Sequence, residues 1–414
     1  MAKIAMLSTG EEVLHGDIVD TNAAWLSEYL FEQGLALTKR STVGDHLTML
    51  IEELVMLSFN NDIVIVNGGL GPTTDDMSAE AIAAAAEVEL ELNEGWLAHM
   101  QQFFLTRGKT MPESNIKQAM LPVGSELIDN AIGTACGFKV RLNDCDLYFT
   151  PGVPREFKQM IENEVCPQMK SSVTELEPLR FSRLFTFGST ESQLSDILSK
   201  FDLPANYTLG YRSALPFIEV KLMGPADNVE VRAKLVQMIY QLISDYVVSI
   251  DETMIAHIGH LLVEKDLTVS LAEESTYGYL SYWSNSDKNA QSKIGSAWVL
   301  GSDSPCLIAE NDPLAAALAM GAASKDRCKS DISVVTGELD GQTFSLAVAT
   351  DQGEWGQVLS FNRQYSADDA RIVIATIAMD MLRRVLSSTH VFANYSSVTR
   401  SKELFIPASM LNSK

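Results

Sequence analysis

The first 170 residues alternate short apolar runs with amphipathic stretches, a pattern that predicts strands alternating with helices. Apolar, largely β-branched runs predict strands at residues 4–7, 35–38, 63–66, 137–140 and 147–150. A helix is expected from a cap at Thr21 or Asn22 to Glu32, and a second helix at residues 45–59. Such alternation indicates a mostly parallel sheet that is covered by helices on both faces, so we predict an α/β fold.

The pattern changes after residue 170. A linker at residues 175–178 precedes predicted strands at 180–188 and 217–223 and predicted helices at 191–200 and 229–247, which together indicate a small α+β module. Farther on, helices are expected at residues 255–265 and 370–387, and strands at 269–271, 297–300, 332–335 and 344–349. The tail after His390 shows no clear periodicity. We therefore predict three domains, at residues 1–170, 171–255 and 256–414.

Composition and charge narrow the possible functions. The chain has 414 residues, 46% of them hydrophobic, and no apolar run long enough to span a membrane. We read no signal peptide, and the five scattered cysteines favour neither a disulfide framework nor a zinc site, so a cytoplasmic protein is expected. The net charge of −23 opposes binding to nucleic acid or to an anionic membrane. An anionic substrate would therefore need local hydrogen-bond donors or a metal ion.

The most informative motif is Asn67-Gly-Gly-Leu-Gly-Pro-Thr-Thr-Asp-Asp76, between a predicted strand and a helix-like run from Ser78. Glycines let backbone N–H groups crowd an anion, and a helix N-terminus carries partial positive charge. Two adjacent aspartates there would repel a phosphate unless a cation lies between them. The motif therefore predicts a phosphate-bearing ligand and a divalent metal. Segments after the other strands, at residues 8–12 and 151–156, should meet it at one edge of the sheet.

Each of these features also has a simpler interpretation. A glycine turn after a strand is often a plain connection, and Asp75 or Asp76 could cap the following helix. Lys117 could be a surface charge, and Glu12 could be a solvated first-turn residue.

Several motifs of the first 170 residues resemble those of the CinA family. They are the run from Thr9 to Asn22, with His15 where the family has an aliphatic residue, the run from Val66 to Asp76, and those at 111–119, 133–135 and 151–155. The resemblance implies a MoaB/MogA-like (molybdopterin-binding) three-layer domain, a KH-like middle domain and a C-terminal α/β CinA-type domain. It also implies a homodimer and metal-dependent hydrolysis of ADP-ribose to AMP and ribose 5-phosphate.

The resemblance, together with charge, suggests roles for individual residues. Asp75 and Asp76, helped by Glu12, would hold a divalent metal such as Mg²⁺, Mn²⁺ or Co²⁺, and potassium is a further candidate cofactor. Lys117 would stabilise charge on the pyrophosphate and, with Asp75 and Asp76, forms the expected catalytic set. The expected substrate-binding residues are Gly68, Gly69, Gly71, Thr73 and Thr74 around the diphosphate, Asp20 and Asn22 at a ribose, and Gly152.

The third region resembles the family's nicotinamide-mononucleotide deamidase domain, but it departs from that domain's motif. In the run Ala272-Glu-Glu-Ser-Thr-Tyr-Gly278, Glu274 falls on the position of the nucleophilic serine, and Ser275 is shifted by one residue. A shift of one residue at a helix start turns the side chain by about 100°. The family's tyrosine and lysine are absent near Leu300-Gly-Ser302 and Pro305. We therefore predict that this domain has lost its deamidase activity and that Glu274 marks a vestigial site.

Three rival functions stay open from the sequence. The N-terminal domain could hold a pterin or a nucleotide without turnover, because fold alone does not decide function. The C-terminal domain could still deamidate nicotinamide mononucleotide, which Glu274 argues against. The KH-like module could handle nucleic acid, but it lacks a Gly-x-x-Gly clamp between residues 171 and 255 and the chain is acidic.

Overall fold

A computed structural model describes residues 2–173, 176, 178–301 and 312–411. The chain divides into two compact units, which we describe separately: Met1–Arg180 with Pro225–Asp227, and Phe181–Gly224 with Asn228–Lys414. Within the described residues, every helix is too short or too polar to cross a bilayer. The predicted positions Glu175, Ser302 and Pro305 lie outside the described residues.

The N-terminal unit contains one six-stranded sheet with the strand order β2-β1-β3-β8-β7-β6. The pairs β1/β2, β1/β3 and β3/β8 are parallel, and β7/β8 and β6/β7 are antiparallel. Its strands are β1 (Ile4–Thr9), β2 (Leu37–Val43), β3 (Ile63–Asn67), β6 (Glu126–Ile128), β7 (Gly137–Leu142) and β8 (Cys145–Thr150), and β4 (Leu90–Leu92) pairs separately with β5 (Met120–Pro122). Its helices are α1 (Glu11–Leu14), α2 (Thr21–Glu32), α3 (Leu47–Asn60), α4 (Ser78–Ala85), α5 (Glu94–Thr106), α6 (Pro154–Met160) and α7 (Cys166–Ser172), with a 3₁₀ helix at Glu113–Ala119 and a π turn at Ile161–Val165.

Both faces of this sheet are buried, which explains why its central strands are continuously apolar. Along β1, Ile4 and Met6 face one core, which α2 and α6 complete. Ala5 and Leu7 face the opposite core, against α3, α4 and α5. The predicted α/β fold with a mostly parallel, three-layer N-terminal domain is confirmed.

Two details differ from the sequence prediction. The N-cap of α2 is Asp20, whose Oδ1 accepts a hydrogen bond from the Ala23 N–H at 2.8 Å, so the predicted cap at Thr21 or Asn22 was wrong. Strand β2 starts at Leu37 and continues to Val43 through polar residues, whereas a strand at residues 35–38 was predicted. Because β2 is the edge of the sheet, its polar side chains are exposed and leave no apolar signal.

The second unit begins with a four-stranded sheet in the order β10-β11-β9-β12. Its elements are β9 (Leu179–Thr186), α8 (Glu191–Leu198), β10 (Thr208–Ala214), β11 (Phe217–Pro225), α9 (Val229–Ile243) and β12 (Val247–Ile250). The helix predicted at residues 229–247 ends at Ile243, because Val247 leaves it to pair with β9. This sheet with two helices is the α+β module expected from the sequence.

A six-stranded sheet in the order β14-β13-β15-β16-β17-β18 forms the rest of this unit. Its elements are α10 (Met254–Lys265), β13 (Val269–Glu273), α11 (Tyr279–Ser284), α12 (Lys288–Lys293), β14 (Ile294–Val299), α13 (Pro313–Cys328), β15 (Ile332–Asp340), β16 (Thr343–Thr350), β17 (Gly353–Phe361), α14 (Ala367–Leu386), β18 (Val398–Pro407) and α15 (Ala408–Leu411). The sequence pattern did not predict α11, α12, α13, β17, β18 or α15. Helix α13 is rich in alanine, and β18 is an exposed edge strand, so neither has strong hydrophobic periodicity.

The two sheets of this unit share one hydrophobic core. Phe187 and Val248, from the small module, join the core that α10 and α14 form with β13, β15 and β16. Helix α13 covers the opposite face of the larger sheet through Leu314, Ala317 and Leu318. The predicted boundary near residue 255 between a middle and a C-terminal domain stays a prediction.

Candidate functional site

A cavity of about 510 Å³ opens at the carboxyl ends of β1, β3 and β8 in the N-terminal unit. Its walls come from the segments that follow these strands: residues 9–13, 67–72 and 151–156. Parallel neighbouring strands place their carboxyl ends at one edge, so segments far apart in sequence meet there. Most of the predicted site residues line this cavity: Glu12, Asp20, Asn22, Gly68, Gly69, Gly71, Asp75, Asp76 and Gly152.

The glycine turn after β3 requires residues without side chains. Gly68 has a φ of 108°, and a Cβ there would lie 2.7 Å from Thr9 Oγ1 and 2.8 Å from the Thr9 carbonyl oxygen. Gly69 also has a positive φ, and its Cβ would collide with the Ser78 hydroxyl. That hydroxyl instead donates to the Gly68 carbonyl at 2.9 Å. The turn is therefore packed closely against β1 and the start of α4.

Two buried asparagines, Asn22 and Asn67, form a hydrogen-bond relay beside the turn. Asn67 Nδ2 donates to the Pro151 carbonyl at 2.7 Å. Asn22 Nδ2 donates both to Asn67 Oδ1 at 3.0 Å and to the Gly152 carbonyl at 2.8 Å. These acceptors fix the orientation of the Asn22 amide. The Asn22 Oδ1 atom and the Thr9 hydroxyl are both buried, and neither has a hydrogen-bond partner among the described residues.

Asp20 organises the start of α2 beside this relay. Its Oδ1 caps the helix, and its Oδ2 accepts a hydrogen bond from the Ser8 hydroxyl at 2.6 Å. Both carboxylate oxygens are thus already engaged, while the residue still lines the cavity. Its predicted contact with a ribose stays a prediction.

Asp76 makes hydrogen bonds within the segment that follows Gly71. The Oδ2 atom of Asp76 accepts hydrogen bonds from the Thr73 N–H at 2.9 Å and from the Thr73 hydroxyl. Helix α4 has Met77 as its N-cap and no side-chain capping bond, so the alternative of a helix cap at Asp75 or Asp76 is wrong. Asp75 and Asp76 line the cavity, but Thr73 and Thr74 are exposed and do not.

Asp45 is a cavity residue that the sequence analysis missed as a site residue. Its Oδ2 accepts a hydrogen bond from the Glu11 N–H at 3.2 Å. Burial raises the pKa of the Asp45 carboxyl, and the negative charges of Glu12 and Asp75 raise it further, against the opposing effect of the Glu11 N–H. Asp45 follows β2, so the rule that selected the segments after the other strands would have found it. Burial is the largest cause of the raised pKa, and a bound cation would relieve only the part that comes from the charges of Glu12 and Asp75.

The carboxylates are compatible with a hard divalent cation. Within the described residues, no three His, Cys, Asp or Glu side chains already form a group that could hold a metal. Mg²⁺ does not need such a group, because it commonly binds one or two carboxylates, several waters and the phosphates of a substrate. Glu12, Asp75 and Asp76, with Asp45, all line the cavity and could supply those ligands.

Two buried side chains, Trp96 and Asn130, make hydrogen bonds to residues that line the cavity. Trp96 Nε1 donates to the Thr134 carbonyl at 3.0 Å. Asn130 Nδ2 donates to the Ala135 carbonyl at 2.9 Å and to Glu156 Oε2 at 2.8 Å. Thr134, Ala135 and Glu156 line the cavity, so these contacts position the residue 133–135 motif against the start of α6.

Lys117 is not among the residues that line this cavity. It lies on the 3₁₀ helix, where its Nζ donates to the Thr73 carbonyl at 2.9 Å and is 3.4 Å from Glu80 Oε1. It faces a second cavity on the other side of the glycine turn. Its predicted contact with a pyrophosphate stays a prediction.

In the second unit, the turn after β13 is organised by Glu273. This buried carboxylate accepts hydrogen bonds from the Thr276 hydroxyl at 2.6 Å, from the N–H groups of Gly278, Leu280 and Ser281, and from the Ser281 hydroxyl. Burial, and then the charge of Glu338, raise the pKa of the neighbouring Glu274. The Ser275 hydroxyl is buried without a partner among the described residues.

The fold and the cavity define an α/β protein whose N-terminal domain is of the molybdopterin-binding type. Residues 5–171 match the family model described as "Probable molybdopterin binding domain". A "CinA-like protein" of Escherichia coli strain SMS-3-5 is 38% identical over 397 residues, which cover 95% of this chain and 97% of that protein. The "NMN amidohydrolase-like protein YfaY" of E. coli K12 gives the same values. The chain belongs to the CinA-like protein family.

A solved structure shares part of this similarity. The crystal structure of the protein CinA from Thermoplasma acidophilum is 27% identical and covers 42% of this chain and 98% of that chain, with a TM-score of 0.38.

Proposed function

We propose that the N-terminal domain is a metal-dependent pyrophosphohydrolase that cleaves ADP-ribose to AMP and ribose 5-phosphate. The observation that carries this proposal is the combination, in one cavity, of a closely packed glycine turn, several carboxylates and two buried polar atoms without partners. A polar atom buried without a partner is costly, so Thr9 Oγ1 and Asn22 Oδ1 favour a polar ligand. A diphosphate linked to a sugar provides the anionic and hydroxyl groups that such a site would bind.

Each group of residues has a separate task in this proposal. The turn at Gly68, Gly69 and Gly71 lets the diphosphate approach the backbone at the start of α4. Asn22 Oδ1 can only accept a hydrogen bond, so it would receive one from a ribose hydroxyl. Asp75 and Asp76, with Glu12 and Asp45 nearby, would hold the divalent cation. When bound, the cation supplies charge neutralisation at the diphosphate and a water of lowered pKa.

The test is release of AMP from ADP-ribose with Mg²⁺, Mn²⁺ or Co²⁺, with and without potassium. Asp76→Asn removes one carboxylate charge from the cavity and should abolish metal-dependent turnover while the fold persists. Asp144→Asn is the matched control, because that side chain is 99% exposed on the turn between β7 and β8. Full activity of the Asp76→Asn variant would refute the assignment.

The second candidate function is binding of a pterin or a nucleotide without turnover. The match of residues 5–171 to a probable molybdopterin binding domain favours it. Calorimetry would decide between the two: tight binding of a pterin, with no hydrolysis of ADP-ribose by any of the three metals, would support the binding protein.

For the C-terminal region we propose loss of deamidase activity. Similarity to a protein named NMN amidohydrolase-like makes the activity worth testing, and Glu274 argues against it because a carboxylate cannot replace an activated hydroxyl. We expect no ammonia release from nicotinamide mononucleotide, and measurable release would overturn this view. We also propose that the protein is a homodimer, which light scattering on the purified protein would test. Its proposed location is the cytoplasm.

A further inference from the structure

A second cavity of about 280 Å³ lies in the N-terminal unit, beside the candidate site. The two cavities share Gly69, Leu70, Gly71, Asp76 and Gln118. The wall between them is therefore largely the glycine turn itself. At Gly71 a Cβ would collide with the Asp76 carboxylate, so the wall carries no side chain there. A ligand that lies along this turn is next to both cavities.

The lining of the second cavity is mostly apolar. Its apolar residues are Leu70, Ala79, Leu90, Met120, Leu121, Cys136 and Phe138, of which Leu70 and the last three are buried. Burial raises the pKa of the Cys136 thiol, which is therefore uncharged at neutral pH. Such a surface favours a flat, uncharged group and disfavours a phosphate.

The polar groups of this cavity lie next to the shared turn. Gln118 is fixed, since its Nε2 donates to the Leu70 carbonyl at 3.0 Å and its Oε1 accepts from Asn115 Nδ2 at 2.8 Å. Lys117 brings a positive charge, with its side chain 28% exposed. Asp76 and Glu80 also line this cavity, and Glu80 Oε1 lies 3.4 Å from Lys117 Nζ. Of the charged residues around the turn, Lys117 lines only the apolar cavity, whereas Glu12 and Asp75 line only the larger one.

We propose that the second cavity binds the nucleobase of the substrate, with the diphosphate along Gly69–Gly71 and the distal sugar phosphate in the larger cavity. This inference rests on the proposed function and assigns each part of the substrate a place. Small-molecule sites start at about 300 Å³, so the second cavity suits one part of a ligand rather than all of it. Lys117 then contacts the diphosphate from the side of the base. The protein should therefore recognise nucleoside diphosphate derivatives and not inorganic pyrophosphate.

Filling the second cavity tests this assignment. Ala79 lines it from the first turn of α4, and Ala79→Leu adds three carbon atoms at that wall. Ala84→Leu is the matched control, because Ala84 lies on the same helix, is exposed and lines neither cavity. Calorimetry with Mg²⁺ measures the binding of AMP and of ribose 5-phosphate separately. We expect Ala79→Leu to weaken AMP binding at least about tenfold, a usual effect of a misfitting aliphatic group in a pocket. Ribose 5-phosphate affinity should not change.

Leu90→Ala provides a second variant that enlarges the cavity instead of filling it. It should also weaken AMP binding and leave ribose 5-phosphate binding unchanged, and circular dichroism checks that both variants fold. Unchanged AMP affinity in both folded variants, or equal loss for both ligands, would overturn the assignment, as would a wild-type protein that binds AMP no better than inorganic phosphate. AMP binding that follows this pattern without any hydrolysis of ADP-ribose would keep the base site and reject the proposed hydrolase.

Discussion

The buried asparagine relay allows a quantitative prediction for Asn22→Leu. Asn22 is 5% exposed, and its amide donates to Asn67 Oδ1 at 3.0 Å and to the Gly152 carbonyl at 2.8 Å. Leucine has nearly the same size but no donor. The substitution therefore leaves Asn67 Oδ1 buried and unpaired, since Asn67 is itself only 6% exposed.

The contacts of Asn22 set the size of the expected effect. An unpaired buried acceptor such as Asn67 Oδ1 costs about 1–3 kcal/mol, and a lost bond to the more exposed Gly152 carbonyl costs about 1 kcal/mol. Leucine also removes the unpartnered Oδ1 of Asn22, which offsets about 1 kcal/mol. The net loss in the free energy of unfolding should be about 2 kcal/mol.

Amide hydrogen exchange read by mass spectrometry measures this loss in the N-terminal unit alone. Peptides that cover β3 (Ile63–Asn67) should exchange about 30-fold faster in the Asn22→Leu variant, because about 1.4 kcal/mol corresponds to a factor of ten. Asn60→Leu is the control, since Asn60 is exposed at the end of α3 and should shift the same peptides by less than about 0.5 kcal/mol. If exchange in β3 is equal in the Asn22→Leu variant and the wild type, the relay does not stabilise the site as argued.

Two further predictions concern buried or crowded carboxylates. Asp380 on α14 is 1% exposed and pairs with Arg383 at 2.8 Å and Arg384 at 2.7 Å, so Asp380→Asn should destabilise the second unit by about 3–5 kcal/mol in calorimetry. The exposed Asp368→Asn, as control, should change stability by less than about 0.5 kcal/mol, and similar losses for both variants would contradict the role of burial. Burial alone would raise the pKa of Asp380, but the two arginines hold that pKa below its usual value. The stability that Asp380 contributes is therefore present above its pKa in the unfolded chain and is lost as the pH falls through its pKa in the folded protein. The pKa shift of Asp45 has the opposite sign: its pKa is raised in the folded protein, so its charged form destabilises the ligand-free protein above that pKa. Asp45→Asn should therefore stabilise the N-terminal unit at pH 7, and urea titrations should show that this gain shrinks toward pH 4. A gain that does not depend on pH would refute this electrostatic explanation.

Local order along the chain was enough to predict one part of the site. The run from Ile63 to Asp76 predicts a strand, a glycine turn and a helix start, and all three lie where they were expected. Apolar runs between amphipathic helices were enough to predict a mostly parallel sheet. That topology in turn places the segments after β1, β3 and β8 at one edge, because parallel strands share the position of their carboxyl ends.

The hydrogen-bond partners of individual side chains, in contrast, depend on how the folded chain packs. Asn22 meets Asn67 across 45 residues and Gly152 across 130, and no local pattern predicts such pairings. Lys117 lines the second cavity and not the larger one, a placement that its motif alone did not indicate. Periodicity reports which face of an element is buried, whereas the partner of a polar side chain depends on the packing of distant segments against each other. For the same reason, the edge strand β18 could be located only from the folded chain, since its exposed residues leave no periodic signal.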